Sequence, residues 1–112
     1  MNNGLHELKV RTEYFRAILS GNKTSEFRKC DGREFKCNDL IRLKEITFIQ
    51  SSDKSSFLGD KPSYTGRLIY VRITDVTIVN SVYEELPVSP IFAMLSFEVI
   101  SGVDEKRGLV LI

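Results

Sequence analysis

The chain has 112 residues, of which 42% are hydrophobic and 28% are charged. This balance predicts one globular domain, residues 1–112, whose core needs no disulfide or metal. The net charge is +1, which argues against a protein that coats long nucleic acids, because such proteins carry a strong basic excess. No apolar run is long enough to cross a membrane, and residues 1–4 do not begin a secretory signal, so we expect a cytoplasmic protein.

The first predicted elements are a short strand and an amphipathic helix. Residues 5–10 alternate weakly between apolar and polar side chains, as a strand does. Thr12 is a good candidate N-cap for the helix that follows. Four apolar side chains fall on one helical stripe and are expected in the core: Tyr14, Phe15, Ile18 and Leu19. Gly21 then occupies the position where a left-handed residue commonly ends a helix.

Residues 24–29 are predicted to form the second strand, and their polar and charged side chains are the main candidates for a ligand-binding site. Side chains alternate between the two faces of a strand. This places Thr24, Glu26 and Arg28 on one face, and Ser25 and Phe27 on the other. Lys23 lies at the turn just before and can reach the first of these faces. The pattern predicts a compact site of mixed charge, suited to a small polar ligand.

The middle of the chain is predicted to form a hairpin with a long connection. Asp31-Gly32 is a turn signal, and residues 40–49 read as a third strand. Residues 50–63 are polar and rich in serine, which predicts a flexible hairpin loop or, alternatively, a lid over the site. Tyr64-Thr65-Gly66-Arg67 brings the chain back into the sheet.

The C-terminal half is predicted to be β-structure. Residues 68–79 form a long strand with Ile69, Val71 and Ile73 on one face. Two prolines then exclude a regular helix, and residues 91–100 form a strand that turns at Ser101-Gly102. The tail, residues 109–112, is apolar and is expected to add a last edge strand.

These elements predict an α+β fold, a small β-barrel of five or six mostly antiparallel strands with one firm N-terminal helix. Pattern alone would also allow an OB-like barrel. Cys30 and Cys37 are expected to be reduced thiols, and no metal site is predicted, because zinc normally needs four ligands and His6 is the single histidine. No cofactor is expected.

Charge is unevenly distributed along the chain. Residues 21–44 hold seven Lys and Arg against four Asp and Glu, whereas residues 81–112 hold two against five. A basic patch beside the second strand is therefore expected. It suits a nucleotide or a short stretch of RNA better than a long duplex.

The octet Gly21-Asn22-Lys23-Thr24-Ser25-Glu26-Phe27-Arg28 resembles the G-x-K-x-x-E-x-R signature of ASCH domains, a branch of the PUA-like superfamily. The flanking segments, across roughly residues 5–79, are similar in order to an uncharacterised ASCH-like family of bacteria and their phages. The resemblance implies a PUA-like barrel with a helix plugging one side. It also implies that Lys23, Glu26 and Arg28 line a cleft between barrel and helix.

The resemblance implies an RNA- or nucleotide-binding module. The expected ligand-binding residues are Gly21, Lys23, Thr24, Glu26, Arg28 and Tyr64. Arg28 and Lys23 would contact phosphate or base oxygens, since arginine offers a planar two-pronged grip. An aromatic side chain could stack on a base, and the candidates are Tyr64, Tyr70 and Phe57.

An enzyme is the alternative. One bacterial ASCH protein is an amidohydrolase that removes an acetyl group from acetylcytidine, and the lysine of its motif matches Lys23. Its threonine nucleophile is replaced here by Glu26, so Glu26 would instead activate water while Lys23 polarises the carbonyl. Glu84 and Glu85 are candidates for an assisting glutamate. A third reading is an interaction protein, for example a phage factor that captures a host molecule or a nucleotide signal.

Overall fold

A computed structural model describes residues 4–49 and 61–112, which form six strands and two helices. In chain order these are β1 (Leu5–Arg11), α1 (Thr12–Leu19), β2 (Ser25–Lys29), β3 (Leu40–Ile49), β4 (Lys61–Ile78), α2 (Val79–Val82), β5 (Phe92–Asp104) and β6 (Leu109–Val110). The predicted mostly β-fold with a helix near the N-terminus is confirmed.

One curled sheet contains all six strands, in the order β1-β3-β4-β5-β2, with β6 paired to β5. The β1–β3 pair is parallel, and the other neighbouring pairs are antiparallel. The strands at the two ends of the order, β1 and β2, are joined in sequence by α1. The sheet therefore forms a half-barrel whose two ends lie on either side of that helix.

Irregular pairing gives the sheet its curvature. Register shifts occur between Lys44 and Ile46 in β3, and at two places along the 18-residue strand β4. A bulge bends its strand and increases the local twist. The long strand β4 can therefore pair with β3 along one edge and with β5 along the other while the sheet closes round.

The core lies on the concave side of the sheet, under α1. Phe15 and Ile18 from α1 are fully buried, while Tyr14 from the same predicted stripe is half exposed. The predicted inward face of β4 is confirmed by three fully buried residues, Ile69, Val71 and Ile73. Burying each such side chain contributes about 1.5–3 kcal/mol, so the helix is held mainly by its apolar face.

The ends of α1 differ from the prediction at one point. Arg11 is the N-cap and makes no side-chain capping hydrogen bond, so the prediction that Thr12 caps the helix is wrong. Thr12 is the first helical residue, and its hydroxyl lies 3.5 Å from the carbonyl oxygen of Ile46 in β3. Gly21 follows the helix with a φ of 84°, as predicted for a left-handed terminating residue.

Two predicted boundaries are also wrong. Residues 61–63, predicted as loop, belong to β4, and the rest of that loop, with Phe57, lies outside the described residues. Strand β5 does not turn at Ser101-Gly102 but continues to Asp104. The reason is close packing: the backbone of Gly102 hydrogen-bonds Leu111 of the C-terminal tail, and a Cβ there would lie 3.4 Å from a β4 carbonyl oxygen. Strand β6 confirms the predicted edge strand in the tail.

A buried ion pair joins the sheet beside the first turn of α1. The Glu45 carboxylate faces inward and accepts hydrogen bonds from Arg67 Nε at 2.8 Å, Arg67 Nη2 at 2.6 Å and the Thr65 hydroxyl at 2.6 Å. The Arg67 guanidinium also lies 4.8 Å from the centre of the Phe15 ring. Burial raises the pKa of Glu45, but the hydrogen bonds from Arg67 and Thr65 outweigh it and hold the pKa below its ordinary value.

A second buried carboxylate fixes the start of the sheet. Asp39, just before β3, accepts hydrogen bonds from the Gly4 N–H at 2.9 Å and the Lys36 N–H at 3.0 Å, and it lies 2.8 Å from His6 Nε2. Burial raises the pKa of Asp39, and these hydrogen bonds, together with the charge of His6, lower it by more. The start of β1 is thereby fastened to the segment that leads into β3.

Replacing Glu45 with glutamine removes the negative charge that faces Arg67. Breaking a buried ion pair leaves the partner uncompensated, so we expect the free energy of unfolding to fall by about 3 kcal/mol. Urea unfolding followed by circular dichroism measures it. The control is Glu34→Gln, whose side chain is 80% exposed and which should change stability by less than about 0.5 kcal/mol. Equal losses in both variants would contradict a structural role for the pair.

Acid should destabilise the protein through the same two carboxylates. Their pKa values are lowered in the folded state, so the unfolded chain takes up protons first as the pH falls. Their contribution is complete above the ordinary values of 3.8 for Asp39 and 4.5 for Glu45 and is lost below them. Urea midpoints measured from about pH 7 to about pH 3 should fall less steeply in Glu45→Gln than in the wild type.

Candidate functional site

An opening of about 450 Å³ lies between the two ends of the curled sheet. Its walls come from β1, α1, β2, the connection between α1 and β2, and one residue of β3. We call it the end cleft, and it is lined by Lys9, Val10, Arg11, Tyr14, Lys23, Glu26, Phe27, Arg28 and Ile46. Since β1 and β2 are the final strands of the sheet order, the end cleft lies where backbone pairing between strands stops.

Glu26 is the centre of this cleft. Only 7% of the residue is exposed. Its Oε2 accepts a hydrogen bond of 2.9 Å from Arg28 Nε, and its Oε1 lies 3.6 Å from Lys23 Nζ. Charged side chains are rarely buried unless they are paired. The carboxylate therefore holds two cations in defined positions at the floor of the cleft.

Arg28 also crosses the cleft. Its Nη2 donates to the carbonyl oxygen of Lys9 on β1. The next such carbonyl along β1, that of Glu7, accepts a 3.1 Å hydrogen bond from Arg33 Nη1. Carbonyls two residues apart point to the same edge of a strand. Arginine side chains thus satisfy the outer edge of β1, where a further strand would otherwise bind.

The lining of the end cleft is strongly basic for a protein of net charge +1. Four of its nine residues are Lys or Arg, and Glu26 is the one carboxylate among them, so the lining carries a formal charge of +3. Lys9 and Arg11 are exposed, whereas Lys23 and Arg28 are partly buried. A partly enclosed cluster of this sign attracts anions, and it does so more strongly than the same charges would in open solvent.

Two aromatic side chains border the cleft. Tyr14 on α1 is 50% exposed, and its ring centre lies 5.6 Å from Lys23 Nζ. Phe27 on β2 is 51% exposed, and its ring stacks on Phe92 of β5 at 5.5 Å and an angle of 11°. Exposed aromatic rings beside a basic cluster are typical of sites that contact bases and phosphates together.

The structure brings together three of the predicted ligand-binding residues: Lys23, Glu26 and Arg28. Glu26 and Arg28 share a face of β2, as alternation predicts, and Phe27 is on the other. Thr24 precedes β2, is exposed, and does not line the cleft; its carbonyl oxygen accepts the Phe97 N–H at 3.0 Å. Thr24 is therefore not among the residues that line the end cleft, and its predicted role in ligand binding stays a prediction.

The other predicted site residues lie away from the cleft. Gly21 ends α1 and is not a lining residue, and within the described residues nothing lies within 4 Å of where its Cβ would be. Tyr64 is on β4, where its hydroxyl donates to Glu105 at 2.7 Å. Glu84 and Glu85, the candidate assisting glutamates, are exposed residues of the connection between α2 and β5.

Sequence reasoning missed the wall of the cleft that β1 and α1 provide. Lys9 and Arg11 alternate with the buried residues Leu8 and Val10, so their exposure was predictable. Their position opposite β2 was not, because it depends on the closure of the whole sheet. Glu45 was also missed, although the alternation of β3 after Ile41 and Leu43 places it on the core face.

Neither cysteine is part of the end cleft. Cys30 is buried and Cys37 is exposed, and burial raises the pKa of the Cys30 thiol. Cys30 lies against a second opening of about 740 Å³, between the end of β2 and the connection that leads into β5. Within residues 4–49 and 61–112 there is no group of three or more potential metal ligands.

No helix in the described part of the chain is long and apolar enough to span a membrane.

Comparison with known proteins places the chain in a family. The family described as "Domain of unknown function (DUF3850)" matches residues 5–88, a range that contains every lining residue of the end cleft. A similar relative is the "Uncharacterized 12.9 kDa protein in GpA 3'region" of Escherichia phage P2. The two are 35% identical over 81 residues, which cover 72% of this chain and 62% of the phage protein. This chain belongs to the DUF3850 family.

Proposed function

We propose that this protein is a nucleotide- or RNA-binding module of ASCH/PUA-like architecture, and that its ligand binds in the end cleft. The observation that carries the proposal is the buried Glu26 carboxylate, which positions Lys23 and Arg28 in a cleft of net positive charge.

Phosphate is the ligand group that fits the floor of the cleft. In the described part of the chain, Arg28 uses two of its N–H groups, one on Glu26 and one on the Lys9 carbonyl. The guanidinium has five N–H donors, so three remain for an anion. Arginine held in a fixed plane is well suited to bind phosphate with two parallel hydrogen bonds. Lys23 adds a second charge close by.

A base or sugar would occupy the upper part of the cleft. Tyr14 and Phe27, each about half exposed, are among the lining residues, Phe27 from the face of β2 opposite Glu26, and Val10 and Ile46 add apolar lining. Stacking of a base on an aromatic ring contributes about 1–3 kcal/mol and tolerates different bases. The cleft thus combines candidate phosphate-binding cations with aromatic side chains on which a base could stack.

The PUA-like architecture rests on the same elements. The half-barrel has α1 between its two end strands, and the G-x-K-x-x-E-x-R residues border the opening beside that helix. This agrees with the arrangement that the ASCH resemblance implies. It supports the proposal independently of the charge of the lining.

The contacts of Glu26 favour binding over hydrolysis. Each carboxylate oxygen already faces a cation, Oε2 at 2.9 Å from Arg28 and Oε1 at 3.6 Å from Lys23. A general base must be within hydrogen-bond reach of the water it activates. Glu26 would have to give up one of these two contacts to do so.

Removal of the Lys23 ammonium should weaken nucleotide binding. We expect Lys23→Ala to raise the Kd for a nucleoside monophosphate about tenfold, because a charge-assisted hydrogen bond contributes about 1.5–3 kcal/mol. Isothermal titration with a panel of nucleosides and nucleoside monophosphates measures this. The control is Lys29→Ala, which removes the same charge from an exposed side chain at the far end of β2, outside the end cleft.

The panel also decides between the proposal and its alternatives. Nucleosides without phosphate should bind more weakly than their monophosphates. Absence of binding across the panel, or equal losses in Lys23→Ala and Lys29→Ala, would contradict a phosphate site in the end cleft. Release of cytidine from acetylcytidine, abolished by Glu26→Gln, would show that the cleft is hydrolytic instead.

Replacing Arg28 with lysine keeps the positive charge but removes the planar fork. We expect Arg28→Lys to lose about tenfold in affinity for the same monophosphate, because an ammonium cannot contact Glu26, the Lys9 carbonyl and a phosphate together. Arg72→Lys is the matched control, since Arg72 lies on the outer face of β4 and pairs with Glu98. Unchanged binding in Arg28→Lys would mean that charge alone, and not guanidinium geometry, supports the ligand.

A further inference from the structure

A row of cations leads away from the end cleft over the convex face of the sheet. Lys9 lies directly opposite Lys44 on the neighbouring strand β3, and both side chains point to this outer face. Adjacent strands are about 4.8 Å apart. Lys9, which lines the cleft, therefore has Lys44 as its neighbour on the next strand.

Tyr64 continues the row onto β4. Its ring centre lies 4.5 Å from Lys44 Nζ and 5.5 Å from Lys106 Nζ. Lys106 Nζ also donates a 2.8 Å hydrogen bond to the Tyr64 carbonyl oxygen. One aromatic ring thus holds two ammonium groups near each other. We call Lys9, Lys44, Tyr64 and Lys106 the outer track.

The far end of the outer track is held in place by the turn between β5 and β6. The buried Asp104 carboxylate accepts the backbone N–H groups of Lys106 and Arg107, each at 3.1 Å. The stem of Lys106 lies over Gly66, where a Cβ would be 2.7 Å from Lys106 Cγ. The stem of Lys106 therefore packs against Gly66, although the residue is exposed.

Carboxylates beside the outer track compensate it only in part. Glu7 lies 3.5 Å from Lys44, and Glu105 accepts the hydroxyl hydrogen of Tyr64. In the described part of the chain, Lys9 and Lys106 have no carboxylate within 4 Å, which is the limit for an ion pair. The outer track therefore keeps an excess of positive charge that is continuous with the lining of the end cleft.

We propose that the ligand of this protein is a single-stranded nucleic acid of several nucleotides, with one nucleotide in the end cleft and its sugar-phosphate backbone continuing along the outer track. This inference rests on the function proposed above and names its ligand class. Interleaved cations and aromatic rings are the usual surface for single strands. Tyr64 was predicted as a ligand-binding residue, and in this proposal it binds the strand on the outer track and not in the cleft.

The length of the outer track sets the size of the ligand. From β1 to β4 there are two strand spacings, about 10 Å in all. Stacked nucleotides of one strand rise about 3.4 Å each, so the track spans about three nucleotides beyond the cleft. A long duplex would need a much larger basic surface than a chain of net charge +1 provides.

The test compares ligands of increasing length on variants outside the cleft. Fluorescence anisotropy is measured with labelled uridine oligomers of about one, two, four and eight nucleotides, and titration calorimetry with the unlabelled monophosphate. In the wild type, affinity should rise up to about four nucleotides and then level off. The double variant Lys44→Gln, Lys106→Gln keeps much of the apolar stems and removes two charges.

We expect this double variant to bind the four-nucleotide oligomer about tenfold more weakly at 0.1 M salt, with the monophosphate unaffected. The slope of log K against log salt should fall by about 1.4, because single strands lose about 0.7 per phosphate contact. The control, Lys29→Gln with Lys36→Gln, removes the same charge from exposed side chains that are not on the track. Deoxyuridine oligomers run in parallel distinguish RNA from DNA as the preferred strand.

The outcomes separate the two proposals. Monophosphate binding with no gain on lengthening would overturn the outer track and leave the end cleft intact. A gain on lengthening that survives in the Lys44, Lys106 variant, or that is lost equally in the control, would also overturn it. If neither the monophosphate nor any oligomer binds, both proposals fail.

Discussion

The guanidinium of Arg28 makes the contact on which the end cleft depends. It joins Glu26 on β2 to the Lys9 carbonyl on β1, at the place where the curled sheet has no backbone hydrogen bonds between its two end strands. A sheet edge with unsatisfied carbonyls is a risk, because it can pair with another chain. Here a side chain satisfies that edge, which leaves room for a polar opening.

This arrangement links the fold to the charge of the site. If β1 and β2 paired directly, the barrel would be closed and the residues between them would have no solvent-facing cavity. Because arginines bridge the gap instead, Glu26 can be buried next to Lys23 without being sealed off. The same residues therefore stabilise the closure of the sheet and line its opening, and a ligand phosphate at Arg28 would bind beside the closure itself.

Local pattern predicted much of the fold and three residues of the cleft. Alternation along residues 24–29 correctly predicted that Glu26 and Arg28 share one face of β2. The apolar stripe of α1 correctly predicted that Phe15 and Ile18 are buried in the core. Both patterns could be read because they depend only on neighbours in sequence. What could not be predicted depends on pairing between distant segments. The place of Tyr64 is an example: a bulge in β3 and the turn after β5 put it beside Lys44 and Lys106, away from the cleft.

The boundaries that were mispredicted have the same origin. Gly102 reads as a turn residue from its neighbours in sequence, but the tail and a β4 carbonyl approach its backbone so closely that β5 continues through it. Thr12 reads as a cap by composition, yet the chain enters α1 directly from β1, and Arg11 takes the capping position in extended conformation. In both cases tertiary packing overrides a local preference that is worth about 1 kcal/mol.

The register of β1 on β3 connects the buried carboxylates to the basic surface formed by Lys9 and Lys44. Asp39 fastens the beginning of β1 at Gly4 and His6, and Glu45 lies opposite Val10 near its end. A shift of one residue between these points would turn every side chain of β1 to the other face. The two carboxylates therefore set which face of β1 carries Lys9, and so keep it next to both Arg28 and Lys44. The stability of the core and the continuity of the basic surface have a common cause in this register.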